Sequence, residues 1–170
     1  NPSTRWPVVT WALMAATIAV HLLVTMRAGS ERELLALYYD YAMVPARLSN
    51  GEGFGGLFTS VFLHADLLHL AGNMLFLWIF GDNLEDALGH VGFLVFYLLA
   101  GAAAGGAQWL AEPYTMVPTI GASGAIAGVM GAYLLLFPKA KVDILIFLVI
   151  IIRIVPVPAW LMPVSYTHLT

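Results

Sequence analysis

The chain has 170 residues, of which 61% are hydrophobic and 10% are charged, with no cysteine among them. Soluble domains carry about 25% charged residues, so this composition excludes a soluble domain and favours a polytopic membrane protein. The absence of cysteine excludes a disulfide framework and a thiolate nucleophile, and the scattered Lys and Arg residues carry no nucleic-acid signature.

The first apolar segment predicts a membrane span over residues 8–26, with charged and aromatic residues at both borders. His21 lies inside this span, and a lone histidine near the end of a span is expected to be an interfacial or packing residue. The loop that follows, residues 28–60, is too long for a simple connection. Residues 31–41 predict a short amphipathic helix, and the aromatic residues of the loop favour a position in the membrane interface.

The second apolar segment, residues 63–80, is unusually polar, since it contains His64, Asp66, His69 and Asn73. His69 and Asn73 are four positions apart and therefore share one face of a helix. Polar side chains inside a bilayer are costly unless they face the protein interior, so they mark a candidate site. The alternative interpretation is an interhelical hydrogen bond that holds the bundle together.

An acidic stretch, residues 81–90, predicts a short turn before a third span over residues 92–110. Glu85 in this stretch is either a solvated charge or an anchor for the loop. In the third span, Gly101 and Gly105 have the small-xxx-small spacing of closely packed membrane helices.

The fourth span begins in the sequence GASGAIAG, residues 121–128, and ends near Phe137. Small residues surround Ser123, so a neighbouring backbone or a substrate could approach its hydroxyl closely. Ser123 is therefore the candidate nucleophile. Such a serine needs a base and donors for the oxyanion, and His69 and Asn73 are plausible donors.

Lys139 and Lys141 follow the fourth span and indicate its cytoplasmic end. Ser123 is then expected near the outer face, at the same depth as the polar start of the second span, and the amino terminus is expected in the cytoplasm. Residues 144–152 are too few to cross a bilayer as a helix, and they predict a short buried or interfacial segment. A fifth span is expected to start near residue 158 without developing.

Three separated motifs resemble those of the rhomboid intramembrane serine proteases: FLHADLLHLAGN at residues 62–73, FGDNLED at 80–86 and GASGAIAG at 121–128. The resemblance covers residues 5–164. It implies an all-α, polytopic membrane bundle with a six-helix core, of which about four full spans and the start of a fifth are present. The expected domain is residues 1–164, followed by a polar tail, residues 165–170, that is not native.

The resemblance also implies that Ser123 attacks a peptide bond in or beside a transmembrane helix of a substrate, near the outer face. His69 and Asn73 would stabilise the oxyanion, and Gly121 would shape the motif backbone. Structural roles are implied for His64, Glu85, Gly124 and Gly128. The expected partners are transmembrane protein substrates and the lipid bilayer, in the plasma membrane of a bacterium, with no cofactor, metal or nucleic acid.

The sequence departs from the family pattern in its general base, which the family places in an Ala-His-x-x-Gly sequence on the sixth span. His168 lacks the glycine context and a following apolar span, so it is not assigned this role. The chain is therefore expected to be a carboxyl-terminally truncated piece of a serine endopeptidase. The piece itself is expected to be inactive, since a serine without its histidine loses most of its rate.

Three alternatives stay open at the level of sequence. The first is a catalytically inactive rhomboid-like protein that binds membrane clients. The second is a metal site built from His64, Asp66 and His69, whose spacing is poor for one ion and lacks the H-E-x-x-H pattern. The third is a channel or transporter, although no repeated halves are visible.

Overall fold

The computed structural model describes residues 6–138 and the backbone of residues 141–148 and 151–158. Six α-helices and one two-stranded hairpin make up this described part of the chain. The helices are α1 (Val8–Arg27), α2 (Glu31–Tyr41), α3 (Pro45–Ser49), α4 (Gly56–Thr59), α5 (Leu67–Ala111) and α6 (Ser123–Leu136); a 3-10 turn, Ser60–Phe62, precedes α5, and the strands are β1 (Lys141–Leu148) and β2 (Ile151–Pro158).

Several predicted elements are confirmed with little change. The first span is α1, the amphipathic helix of the first loop is α2, and the fourth span is α6, which begins at the predicted nucleophile, Ser123. Helices α1 and α5 are long and apolar enough to cross a membrane, and α6 is a shorter apolar helix.

Helix α5 contains the second and third predicted spans. Its 45 residues would extend roughly 67 Å as one straight helix, more than twice a bilayer core of about 30 Å, but the helix is broken at Gly89. Gly89 has φ 74° and ψ 163°, a left-handed conformation that glycine adopts without the steric cost of a side chain. The two arms of α5, residues 67–88 and 90–111, are thus separate helical segments.

The predicted turn over residues 81–90 is wrong, because the helix continues to residue 88 and only Gly89 leaves the helical conformation. The physical reason lies in Glu85, which is 2% exposed and hydrogen-bonded to another helix instead of being solvated. The acidic stretch is therefore part of the helix packing rather than a connection in water.

Glu85 joins α5 to the start of α1. Its two carboxylate oxygens accept hydrogen bonds from the backbone N–H groups of Val9 and Thr10, both at 2.8 Å, and from the Thr10 hydroxyl at 2.7 Å. The His90 Nδ1 atom lies 2.6 Å from the same carboxylate. Because the first N–H groups of a helix have no partner inside it, a buried carboxylate at this end satisfies them and complements the helix dipole.

The second helical span begins later than the sequence predicts, at Leu67 instead of residue 63. Asp66 has an extended backbone conformation, and its side chain accepts a hydrogen bond from the His69 backbone N–H at 2.8 Å. This is an N-cap, which fixes the start of the helix. His64 and Asp66 consequently lie ahead of α5 and not on its face.

Small residues bring α6 against the second arm of α5. A Cβ atom added to Gly128 would lie 2.6 Å from the Ala100 Cβ, and one added to Gly124 would overlap the Ala104 Cβ. The two backbones can approach this closely only because neither glycine has a side chain. Around this contact lies a core of buried side chains from α1, α5 and α6, among them Leu13, Leu77, Phe80, Tyr97 and Ile126.

The first loop is tied to the segment that precedes α6. Met43 and Thr119 form an antiparallel bridge, with N–H···O distances of 3.3 Å and 2.8 Å. The Trp109 indole N–H donates to the Ser49 hydroxyl at 2.9 Å. The loop is therefore anchored to α5 and to the segment just ahead of the Ser123 motif.

Strands β1 and β2 pair antiparallel, with Lys141 opposite Pro158 and Leu148 opposite Ile151. Of the predicted nine-residue apolar segment, 144–152, residues 144–148 lie in β1 and residues 151–152 in β2, in keeping with the β-branched residues of the segment. The expected fifth span beyond residue 158 and the tail, residues 165–170, lie outside the described residues.

Replacing Gly128 by Ala is expected to lower the stability of the bundle by about 1–3 kcal/mol, because the new methyl group collides with Ala100. Gly131→Ala is the matched control on the same helix, since an added Cβ there meets nothing within 4 Å. It is expected to be neutral or to stabilise by up to about 1 kcal/mol through helix propensity. Thermal unfolding in detergent measures both, and equal melting temperatures for the two variants would contradict the packing described.

Replacing Glu85 by Gln is expected to destabilise the fold by about 2–4 kcal/mol. A carboxylate accepts hydrogen bonds through two oxygens, whereas the Gln amide has one acceptor oxygen, and its NH2 group cannot accept from an N–H group of α1. Glu52→Gln is the control, since Glu52 is exposed in the first loop. Thermal unfolding measures the difference in stability. Equal melting temperatures for Glu85→Gln and Glu52→Gln would contradict the role of Glu85 in joining α5 to α1.

Candidate active site

Ser123 is the first residue of α6, and Ala122 is its N-cap. Because the first N–H groups of a helix have no intrahelical partner, the backbone N–H groups of the first turn, from Ser123 onward, are available as donors, and the helix dipole gives this end a partial positive charge. Ser123 is half-buried. This end of α6 therefore combines a hydroxyl group with backbone donors suited to a negative charge.

Gly121 brings the backbone of the Ser123 motif directly onto α5. It has φ 116°, and an added Cβ would lie 2.8 Å from the Nε2 and Cε1 atoms of His69 and 3.8 Å from the Asn73 Nδ2. Any side chain at this position would be strained by its backbone conformation and would collide with the imidazole. The approach of the motif to His69 and Asn73 thus depends on glycine.

The two candidate oxyanion donors, predicted at the same membrane depth as Ser123, lie beside the Gly121 backbone of its motif. His69 is half-buried and Asn73 is 2% exposed, and both face the Gly121 backbone from the first turns of α5. These two side chains lie one turn apart on the same face of α5. Both are therefore next to Gly121, two residues before Ser123. Their catalytic roles stay predictions.

His64 holds the same motif from the extended segment ahead of α5. Its Nε2 atom accepts from the Ala122 backbone N–H at 3.4 Å, and its ring meets the His69 ring edge-on with a centroid distance of 5.0 Å. Burial, together with the charge of His69, lowers the pKa of His64 to about 4. His64 is therefore neutral near pH 7, as an acceptor for a backbone N–H must be.

Two supporting groups have no signal in the sequence. The Ser60 carbonyl accepts from the Gly121 N–H at 3.0 Å, and the Tyr38 hydroxyl donates to the His64 carbonyl at 2.8 Å. Both contacts join residues far apart in the chain, and neither belongs to a spaced motif. Residues 60–64 thus hold the Gly121–Ala122 backbone, and α2 holds residues 60–64.

A small cavity of about 190 Å³ lies beside the serine, between α6 and the second arm of α5. Ser123, Gly121 and Gln108 supply polar groups to its wall, and Gly101 and Gly105 leave it room. The cavity is larger than the roughly 30 Å³ share of one water molecule. The candidate nucleophile therefore lies at a space that small groups can enter.

The other predicted site residues lie elsewhere. Glu85 contacts α1, and Gly124 and Gly128 contact α5, so these three shape the bundle around the site. Among residues 6–138, no three His, Asp or Glu side chains are arranged to hold a metal ion. His21, predicted to be an interfacial or packing residue, is 4% exposed on the inner face of α1.

Comparison with known proteins places this arrangement in a family. The family model for the rhomboid domain matches residues 52–168. Rhomboid protease GluP of Bacillus subtilis is 34% identical over 128 residues, which cover 75% of this chain and 24% of that protein. Rhomboid protein 1, mitochondrial, of Saccharomyces cerevisiae is 41% identical over 93 residues, 52% of this chain and 27% of the relative.

A further relative, putative rhomboid protease YdcA of Bacillus subtilis, is 38% identical over 87 residues, 51% of this chain and 43% of that protein. The chain thus spans about a quarter of the length of the first two relatives and under half of the third. The family resemblance and the helical membrane bundle predicted from the sequence are confirmed. With a family model that matches more than half of its length, the chain belongs to the rhomboid family of integral membrane proteins.

Proposed function

We propose that the full-length protein is an intramembrane serine endopeptidase with Ser123 as its nucleophile. The observation that carries this proposal is the approach of Gly121 to His69 and Asn73, which brings two side-chain donors to the amino-terminal end of α6. Two of the matched relatives are named rhomboid proteases, one of them putatively. A nucleophile beside preorganised donors is the arrangement that acyl transfer requires.

In the proposed reaction, the Ser123 hydroxyl oxygen bonds to the carbonyl carbon of a peptide bond and the peptide C–N bond breaks. The hydroxyl proton passes to a general base and then to the leaving amine, and water later cleaves the acyl-enzyme. The carbonyl oxygen carries the negative charge of the tetrahedral intermediate. We assign its stabilisation to the Asn73 amide, the His69 imidazole and the backbone N–H of Ser123.

The general base that the family resemblance implies is a histidine on the sixth span, in the carboxyl-terminal part of the full-length protein. His64 does not suit this role, since its Nε2 already accepts from the Ala122 N–H and it is 1% exposed. We propose instead that His64 positions the motif backbone. Because a neutral imidazole is needed for that hydrogen bond, burial of His64 supports this role.

We propose that the substrates are transmembrane proteins cut within or beside a membrane helix near the outer face. The basic pair Lys139 and Lys141 supports a cytoplasmic end for α6, which leaves Ser123 at the outer end and the amino terminus in the cytoplasm. We propose a bacterial plasma membrane as the location; two of the matched relatives come from a bacterium, whereas the Saccharomyces cerevisiae relative is mitochondrial.

Replacing Ser123 by Ala in the full-length protein is expected to abolish cleavage of a model transmembrane substrate, with a loss of at least about 10³-fold in kcat. Ser49→Ala is the matched control, because Ser49 lies in α3, outside the site. Its hydroxyl donates a hydrogen bond to the Pro113 carbonyl and accepts one from the Trp109 indole N–H. Gel analysis of a reconstituted substrate measures both rates.

Equal cleavage by Ser123→Ala and the wild type would show that another residue is the nucleophile. If the wild type binds the substrate and leaves it intact, while Ser123→Ala binds equally well, the protein is a client-binding member of the family instead of a protease.

Replacing Gly121 by Ala is expected to lower kcat by about 10²-fold or more, because the methyl group displaces His69 from the motif. Gly51→Ala is the matched control for backbone strain. Gly51 also has a positive φ, 80°, but an added Cβ there meets nothing within 4 Å. The same cleavage assay separates backbone strain from the collision with His69, and thermal unfolding checks that both variants fold. Equal losses of rate in the two variants would show that the collision with His69 is not the cause.

A further inference from the structure

A cleft of about 470 Å³ opens between α1 and α2, on the side of the first loop. Its lining is mostly aliphatic and includes Val20, Leu23, Leu37 and Leu63. The volume lies within the range of small-molecule sites, roughly 300–1,000 Å³. The cleft is therefore large enough for part of a lipid molecule and too small to hold a partner helix, which is about 10 Å across.

Arg27 is the one charged residue in the lining of this cleft, and no acidic residue lines it. Within residues 6–138, Arg27 forms no ion pair with a carboxylate. A guanidinium group without a carboxylate partner is well suited to a phosphate, which it can bind through two parallel hydrogen bonds. The charge of the cleft thus favours an anionic ligand.

The cleft runs between two depths of the membrane. Arg27 is the last residue of α1, and the polar residues Gly29, Ser30 and Glu31 follow it, so this end lies at the headgroup level. Val20 lies seven residues earlier, roughly 10 Å deeper at 1.5 Å per residue. An occupant therefore meets a cation at the headgroup level and aliphatic side chains in the hydrocarbon.

We propose that a phospholipid occupies this cleft, with its phosphate bound by Arg27 and one acyl chain packed between α1 and α2. The exposed Tyr41 side chain lines the cleft beside α2 and adds an interfacial hydroxyl group. The lining of the cleft explains both the phosphate and the acyl chain of this ligand. A free anion would not contact the aliphatic walls, and a neutral hydrocarbon would not pair with the Arg27 guanidinium.

The inner wall of the cleft connects this lipid to the candidate active site. Thr59 and Leu63 line the cleft and flank the segment in which the Ser60 carbonyl accepts from the Gly121 N–H. His64, the next residue, accepts from the Ala122 N–H. A bound lipid thus packs behind the segment that holds the Ser123 motif, and it is expected to stabilise that motif whether or not the protein cleaves peptides.

The test is lipid retention by the delipidated full-length protein, measured by native mass spectrometry with phosphatidylglycerol and with phosphatidylcholine of the same chains. The wild type is expected to bind one phosphatidylglycerol about fivefold more tightly than phosphatidylcholine, the effect of one cation at a membrane surface. Arg27→Gln is expected to remove this preference. Arg32→Gln is the control, since Arg32 is exposed on α2 outside the cleft.

A second pair of variants tests the acyl site. Leu23→Trp fills the cleft and is expected to prevent binding of either lipid, whereas Leu22→Trp, on the same helix outside the lining, is expected to bind as the wild type does. Both leucines are at least 50% exposed, so neither variant disturbs the core. The proposal is overturned if the variants of either pair bind alike, or if inorganic phosphate competes as well as the lipid does.

Discussion

The closeness of two backbones is the constraint on which the rest of this structure depends. Gly124 and Gly128 let α6 lie against Ala104 and Ala100 of α5, and Gly121 extends the same contact to the His69 imidazole. Ser123 lies within this row, so the packing that holds the helix also holds the candidate nucleophile. Because packing between membrane helices relies on close van der Waals contact rather than on the hydrophobic effect, the fold and the site share one physical cause.

The cost of buried polar groups explains the second layer of the arrangement. Glu85 satisfies the N–H groups that open α1, and Asp66 does the same for α5. His64, kept neutral by burial, accepts from Ala122, and its own carbonyl accepts from Tyr38. Glu85 and His64 are buried, and a buried polar group without its partner would cost several kcal/mol, whereas Asp66 is an exposed N-cap. The same contacts fix the segments that meet at Ser123.

Sequence reasoning found the parts of this protein that local patterns encode. The ends of α1, α2 and α6, the shared face of His69 and Asn73, and the Ser123 motif all follow from hydropathy and spacing. It placed a turn where Glu85 continues the helix, because the choice between a solvated and a buried carboxylate depends on α1, which lies far away in the chain. The contacts of Ser60 and Tyr38 were missed for the same reason, since a carbonyl or a hydroxyl partner has no sequence signature.

The central claim is that Ser123, His69 and Asn73 act on one reacting carbonyl group. The most direct measurement is a structure of the full-length protein after reaction with a serine-directed phosphonate, whose oxygen takes the place of the oxyanion. The account predicts a phosphonyl group on Ser123 with that oxygen within hydrogen-bond distance, about 2.7–3.1 Å, of the Asn73 amide and the His69 imidazole. A phosphonyl group on another residue, or an oxygen that faces away from both donors, would contradict it.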